Sequence, residues 1–167
     1  MPQPFLVSWP GPGRLGMMSR PPGGAWLADD LGALRAAGVD KLVCALTEHD
    51  MERLGLLHEP ETAAAVGLDY VSFPITDFGV PDATELIRLS QALAGEVAEG
   101  RFVVAHCFGG VGRSGLIVGA TLIQLGASAE QAIELISTAR GTRAPETEGQ
   151  HALLASIQTS DPGRPGR

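Results

Sequence analysis

The chain has 167 residues, 44% of them hydrophobic, and a formal net charge of −7 from 12 basic and 19 acidic side chains. This is one domain's length with enough apolar residues for an ordinary core, so neither disorder nor a disulfide scaffold is required. The acidic balance, with no basic stripe, argues against nucleic acid or an anionic membrane surface as partner, and any anionic ligand must be held by a local site.

Two cysteines, Cys44 and Cys107, are too few for a secreted disulfide framework. The N-terminus lacks the basic and apolar regions of a signal peptide, and no apolar run reaches the roughly 18 residues of a spanning helix. A cytoplasmic setting is expected, where a reactive thiol stays reduced.

In chain order, residues 5–9 form a weak strand candidate, residues 10–13 and 21–24 are turns, and residues 25–27 form a second weak strand candidate. A helical pattern follows at 29–37, then a strand at 41–46 (KLVCAL). Helical patterns around 48–54 and 61–66 precede a strand at 70–73. Residues 83–98 predict a helix with Leu86, Leu89 or Ser90, Leu93 and Val97 on one face, capped by Asp82 with Glu85 at the third position. A strand at 102–105 is followed by a helix at 114–125, apolar on nearly every side and therefore buried against the sheet. Another helix begins at Ser128, with Gln131 completing a capping box, and a last one opens at Pro145. Residues 1–159 read as one domain and 160–167, rich in Pro, Gly and Arg, as a flexible tail. The alternation predicts an α/β fold: a mostly parallel central sheet flanked by helices. In such sheets ligands bind at the carboxyl ends of strands.

At one of those ends stands His106-Cys107-Phe108-Gly109-Gly110-Val111-Gly112-Arg113-Ser114. A free cysteine titrates near 8.5, but a helix N-terminus and a neighbouring arginine favour the thiolate. Gly109, Gly110 and Gly112 let the loop from Phe108 through Val111 curl so that its N–H groups form an anion nest. Arg113 adds a planar fork for two phosphate oxygens, and Ser114 can donate a hydrogen bond to the sulfur. The layout suits a cysteine that attacks a phosphoryl group.

The string resembles the signature His-Cys-x5-Arg-Ser/Thr of the cysteine-based protein tyrosine phosphatase superfamily. Residues 73–82 (FPITDFGVPD) resemble the general-acid loop of its small dual-specificity members, and Asp77 precedes Cys107 by 30 residues, as in that subgroup. The Gly-Gly-x-Gly-Arg-Ser loop is similar to the branch typified by the cyclin-dependent-kinase-inhibitor-associated phosphatase. The resemblance implies a phosphocysteine mechanism with Cys107 as nucleophile, Arg113 and the loop holding phosphate, and Asp77 as acid and then base. It implies no metal and no cofactor.

Asp82 competes with Asp77 for the acid role, but as a helix cap it is biased towards ionisation. His106 is expected to orient the loop by hydrogen bonding. Gln150 matches a family tail pattern, placing it either on the pocket wall or on an exposed helix face. Glu48, His49, Asp50, His58, Glu59 and Glu61 fit no compact metal site and read as a solvated helical surface. Cys44 is by default a small buried hydrophobe, the alternative being a reversible disulfide with Cys107.

The loop carries no cation besides Arg113, which argues against a highly charged lipid headgroup. The expected partner is a phosphorylated protein, through tyrosine and also serine or threonine, or else a small phosphate ester. A non-catalytic phosphate-binding module and a sulfurtransferase are the alternatives from other classes. A monomer is expected.

Overall fold

The apolar runs assemble into one five-stranded sheet in the computed structural model, which describes residues 3–160. Its strands are β1 (Phe5–Leu6), β2 (Arg14–Ser19), β3 (Lys41–Cys44), β4 (Asp69–Ser72) and β5 (Phe102–Cys107), in the order β1-β2-β5-β3-β4. All neighbours are parallel except β1 with β2. Every residue of β5 is buried, as expected for the central strand of a parallel sheet covered on both faces. The mostly parallel sheet flanked by helices is thus the fold of this chain.

The helices are α1 (Leu27–Ala36), α2 (Glu48–Leu54), α3 (Glu59–Val66), α4 (Ala83–Ala98), α5 (Arg113–Gln124), α6 (Ala129–Arg140) and α7 (Glu148–Ser160). They divide between the two faces. Leu31 and Leu34 of α1, Met51 of α2 and Ala63 of α3 pack with Leu42, Cys44 and Val104. Leu86 and Leu93 of α4, Ile117 of α5, Ile136 of α6 and Leu154 of α7 pack with Val43, Ala105 and Cys107. Helix α5 is buried from Arg113 through Ile123, as its all-round apolarity predicts. The Ser128–Gln131 capping box is present, and Asp82 caps α4 by accepting from the Glu85 N–H.

Two expectations are corrected. Residues 25–27 are not a strand: a 3₁₀ turn over Gly24–Trp26 runs directly into α1. The last helix begins at Glu148, not at Pro145. There the Thr147 hydroxyl accepts from the Gln150 N–H, while Gln150 Oε1 accepts from the Glu146 and Thr147 N–H groups, so the entry is capped two residues later. Strand β2, RLGMMS, carries no β-branched residue and so no strand signature, yet it lies beside β5 with Leu15, Met17 and Met18 buried. Of the expected tail 160–167, Ser160 ends α7 and residues 161–167 lie outside the described residues.

Candidate active site

Strand β5 ends at Cys107, and the loop 108–112 leads straight into α5. Cys107 is 3% exposed, and its Sγ lies 3.2 Å from the Ser114 Oγ in the first turn of α5. The loop's outer side is fastened to β2 and α6. Phe108 O accepts from the Arg20 N–H, and Gly109 O accepts from Ser19 Oγ and Arg140 Nη2. With those carbonyls turned outward, the N–H groups of Gly109, Gly110, Val111 and Gly112 make no hydrogen bond among the described residues, which leaves them available to an anion.

Of the three loop glycines, Gly110 has positive φ, at +74°, and a Cβ there would stand 2.5 Å from the Met18 carbonyl carbon. It lets the loop lie flush on β2 rather than touching the cavity. A Cβ on Gly109 meets nothing within 4 Å.

Arg113 is 3% exposed and held on two sides. Nη1 donates to Asp50 Oδ2 at 2.8 Å and to the Ile75 carbonyl at 3.0 Å, while Nη2 lies 3.4 Å from Asp77 Oδ1. Burial disfavours the Asp50 carboxylate, but the hydrogen bonds from Arg113 and Thr47 outweigh it and hold its pKa below the ordinary value. Asp50 is thus no solvated surface residue; it braces the guanidinium from α2.

Asp77 is more than half exposed, on a turn where Phe78 adopts φ of +58°. Its Oδ1 accepts from the Phe78 N–H. Asp82 points its carboxylate into the start of α4 and does not line the cavity. Gln150 is fully buried, which decides between its two expected places: Nε2 donates to the Gly79 carbonyl and ties the Asp77 turn to α7. Cys107, Arg113 and Asp77 border a cavity of about 220 Å³ rimmed by Phe78 and Phe108, with Val111, Glu146 and Gln150 on its wall. A larger open groove of about 640 Å³ beside Trp9 and Leu135 contains none of the predicted site residues.

His106 does not bond the loop. Strand alternation turns its ring to the opposite face of β5, where Nε2 lies 2.6 Å from Glu59 Oε1. Glu59 is itself fully buried, contrary to its reading as solvated surface. Cys44 is the ladder partner of His106 and shares that face, so the two thiols occupy separate core layers and both are free.

A family model described as "polymorphic toxin system, DSP-PTPase phosphatase" matches residues 16–127. Cyclin-dependent kinase inhibitor 3 from Rattus norvegicus and from Homo sapiens are each 27% identical over 127 residues, 75% of this chain. The chain spans about 60% of the length of these curated relatives. Among solved structures, kinase associated phosphatase superposes with a TM-score of 0.85 at 21% identity, covering 96% of this chain and 97% of that one. Tk-PTP in its active form gives 0.75 at 25% identity, covering 89% and 94%. The chain belongs to the dual-specificity-type protein tyrosine phosphatase family of polymorphic toxin systems.

Proposed function

We propose that the protein is a phosphomonoesterase working through a phosphocysteine intermediate, with residues 1–159 as the catalytic unit in a reducing, cytoplasmic setting. The observation that carries this reading is the meeting of Cys107, Arg113 and Asp77 at one cavity, with Ser114 Oγ beside the sulfur. In the first step Cys107 Sγ bonds to phosphorus as the ester P–O bond breaks, and Asp77 gives its proton to the leaving oxygen. In the second, water bonds to phosphorus while Asp77 takes its proton, the S–P bond breaks, and Ser114 donates to the departing thiolate. Arg113 and the loop N–H groups hold the equatorial oxygens, with no metal in the scheme. An incoming phosphate takes the place of Asp77 beside Nη2 and so releases the acid for its work.

The cavity wall carries one cation, Arg113, and two carboxylates, Asp77 and Glu146. That balance suits a monoester of modest charge between the Phe78 and Phe108 rings, and we assign phosphotyrosine with phosphoserine or phosphothreonine in proteins as the substrate class. Hydrolysis of an aryl phosphate and a phosphopeptide panel tests the reading. Cys107→Ser and Arg113→Ala are expected to abolish turnover; full activity in Cys107→Ser would refute it. Asp77→Ala is expected to lower kcat by about 10² to 10⁴ with little change in phosphate binding, and Asp82→Ala to leave kcat nearly unchanged. The reverse pattern would move the acid to Asp82.

A further inference from the structure

One carboxylate on the cavity wall has no part in the two chemical steps. Glu146 precedes α7, and its side chain lies against the loop that carries the nucleophile. A Cβ added to Gly112 would stand 3.2 Å from Glu146 Cβ and 3.4 Å from its Oε2. The Glu146 N–H donates to Gln150 Oε1, which fixes the residue at the entry to α7. Its carboxylate makes no hydrogen bond or ion pair among the described residues.

The neighbouring cations are engaged elsewhere. Arg113 is held by Asp50 and the Ile75 carbonyl, with Asp77 beside Nη2. Arg143 pairs with Glu148 at 2.6 Å. Arg20 stacks on the Phe108 ring and reaches the Phe108 carbonyl, while Arg140 stacks on Phe5 and reaches the Gly109 carbonyl. An unpaired carboxylate this near the loop opposes a phosphate dianion, and a neutral donor on the substrate would not offset that repulsion. A positive charge carried by the substrate would. Glu146 is exposed at the cavity's edge, and a lysine or arginine stem is long enough to bring its charge to that wall from a flanking position.

We propose that Glu146 is a specificity-determining residue: its carboxylate receives a lysine or arginine next to the phosphorylated residue and repels acidic flanks. This rests on the cavity being the phosphate site of a phosphatase, and it narrows the substrate class to basic phosphorylated segments. The net charge of −7 adds a diffuse preference of the same sign, so a second acidic residue far from the cavity serves as control.

The probes are three phosphotyrosine peptides that differ only in carrying lysine, alanine or glutamate on both sides of the phosphotyrosine. An unphosphorylated lysine peptide is the fourth. Affinity for Cys107→Ser, which lacks the nucleophile, is read by fluorescence anisotropy. The lysine peptide is expected to bind about five- to tenfold more tightly than the alanine peptide, and the glutamate peptide more weakly by a similar factor. Adding Glu146→Gln is expected to bring all three within about threefold. Adding Glu130→Gln, which removes an equal charge from the exposed first turn of α6, is expected to leave the ranking as it was. Equal affinities overturn the proposal, as does a ranking that Glu146→Gln and Glu130→Gln alter alike, or an unphosphorylated lysine peptide that binds as tightly as the phosphorylated one. Independently of any Cys107 variant, kcat/KM of the unaltered protein is expected to follow the same order, and Glu146→Gln to remove it. Ranked binding without turnover would count against the phosphatase reading alone, and turnover with equal affinities against the role of Glu146 alone. No binding and no turnover of any phosphopeptide overturns both.

Discussion

At the scale of single residues, the site divides into a part read along the chain and a part assembled across it. The meeting of Cys107, Arg113 and Ser114 is legible because all three stand on one tight loop and the first turn after it. Asp77 was legible because its loop has its own recognisable form. Asp50, Glu59 and Gln150 cannot be placed along the chain because each bonds a partner 63, 47 and 71 residues away. A carboxylate in a helical stretch gives no local sign of whether it meets water or a buried guanidinium. The loop glycines divide in the same way, since only the structure separates the one needed for close approach from the one that is not. Gly110→Ala must push the loop off β2 by its 2.5 Å contact with the Met18 backbone, misplacing the N–H groups. We expect kcat/KM to fall by about 10² or more in Gly110→Ala and by less than about threefold in Gly109→Ala. Steady-state kinetics on an aryl phosphate checks both, and equal losses would contradict this account of the loop.

At the scale of elements, strand and helix existence followed from hydrophobic period and capping chemistry, as with α4, α5 and α6. The failures have physical causes. Strand β2 is held by its place between β1 and β5 rather than by propensity, and α7 starts late because Thr147 and Gln150 offer a better cap than Pro145. The α3–β5 contact through Glu59 and His106 carries its own pH dependence. Its folded pKa of about 10 lies above the ordinary 6.5, so the stabilisation is fully present below about 6.5 and is lost as pH rises through 10. Urea melts are expected to show stability falling by a few kcal/mol at most between those limits, with the fall absent in Glu59→Gln. A wild-type profile that stays flat from pH 6.5 to 10 would contradict the ion pair.

At the scale of the whole molecule, the fold explains how an acidic protein can take an anionic ligand. The net charge of −7 repels phosphate at long range, but salt screens it over about 8–10 Å. At short range the N-terminus of α5 and Arg113, the one cation among the described residues that line the cavity, favour an anion. The sheet supplies this arrangement by ending β2, β3 and β5 at one edge, with α2 and α7 lending Asp50 and Gln150 to brace Arg113 and the Asp77 turn. Charge and patterning indicated that such a local site must exist; the bracing depends on topology and appears only when the chain is folded. We propose that the phosphoryl group passes through Cys107. Rapid acid quench of the protein with a phosphopeptide, followed by peptide mapping, tests it most directly. We expect phosphate on the peptide containing Cys107, lost in Cys107→Ser; release of phosphate with no labelled Cys107, undiminished in Cys107→Ser, would contradict it.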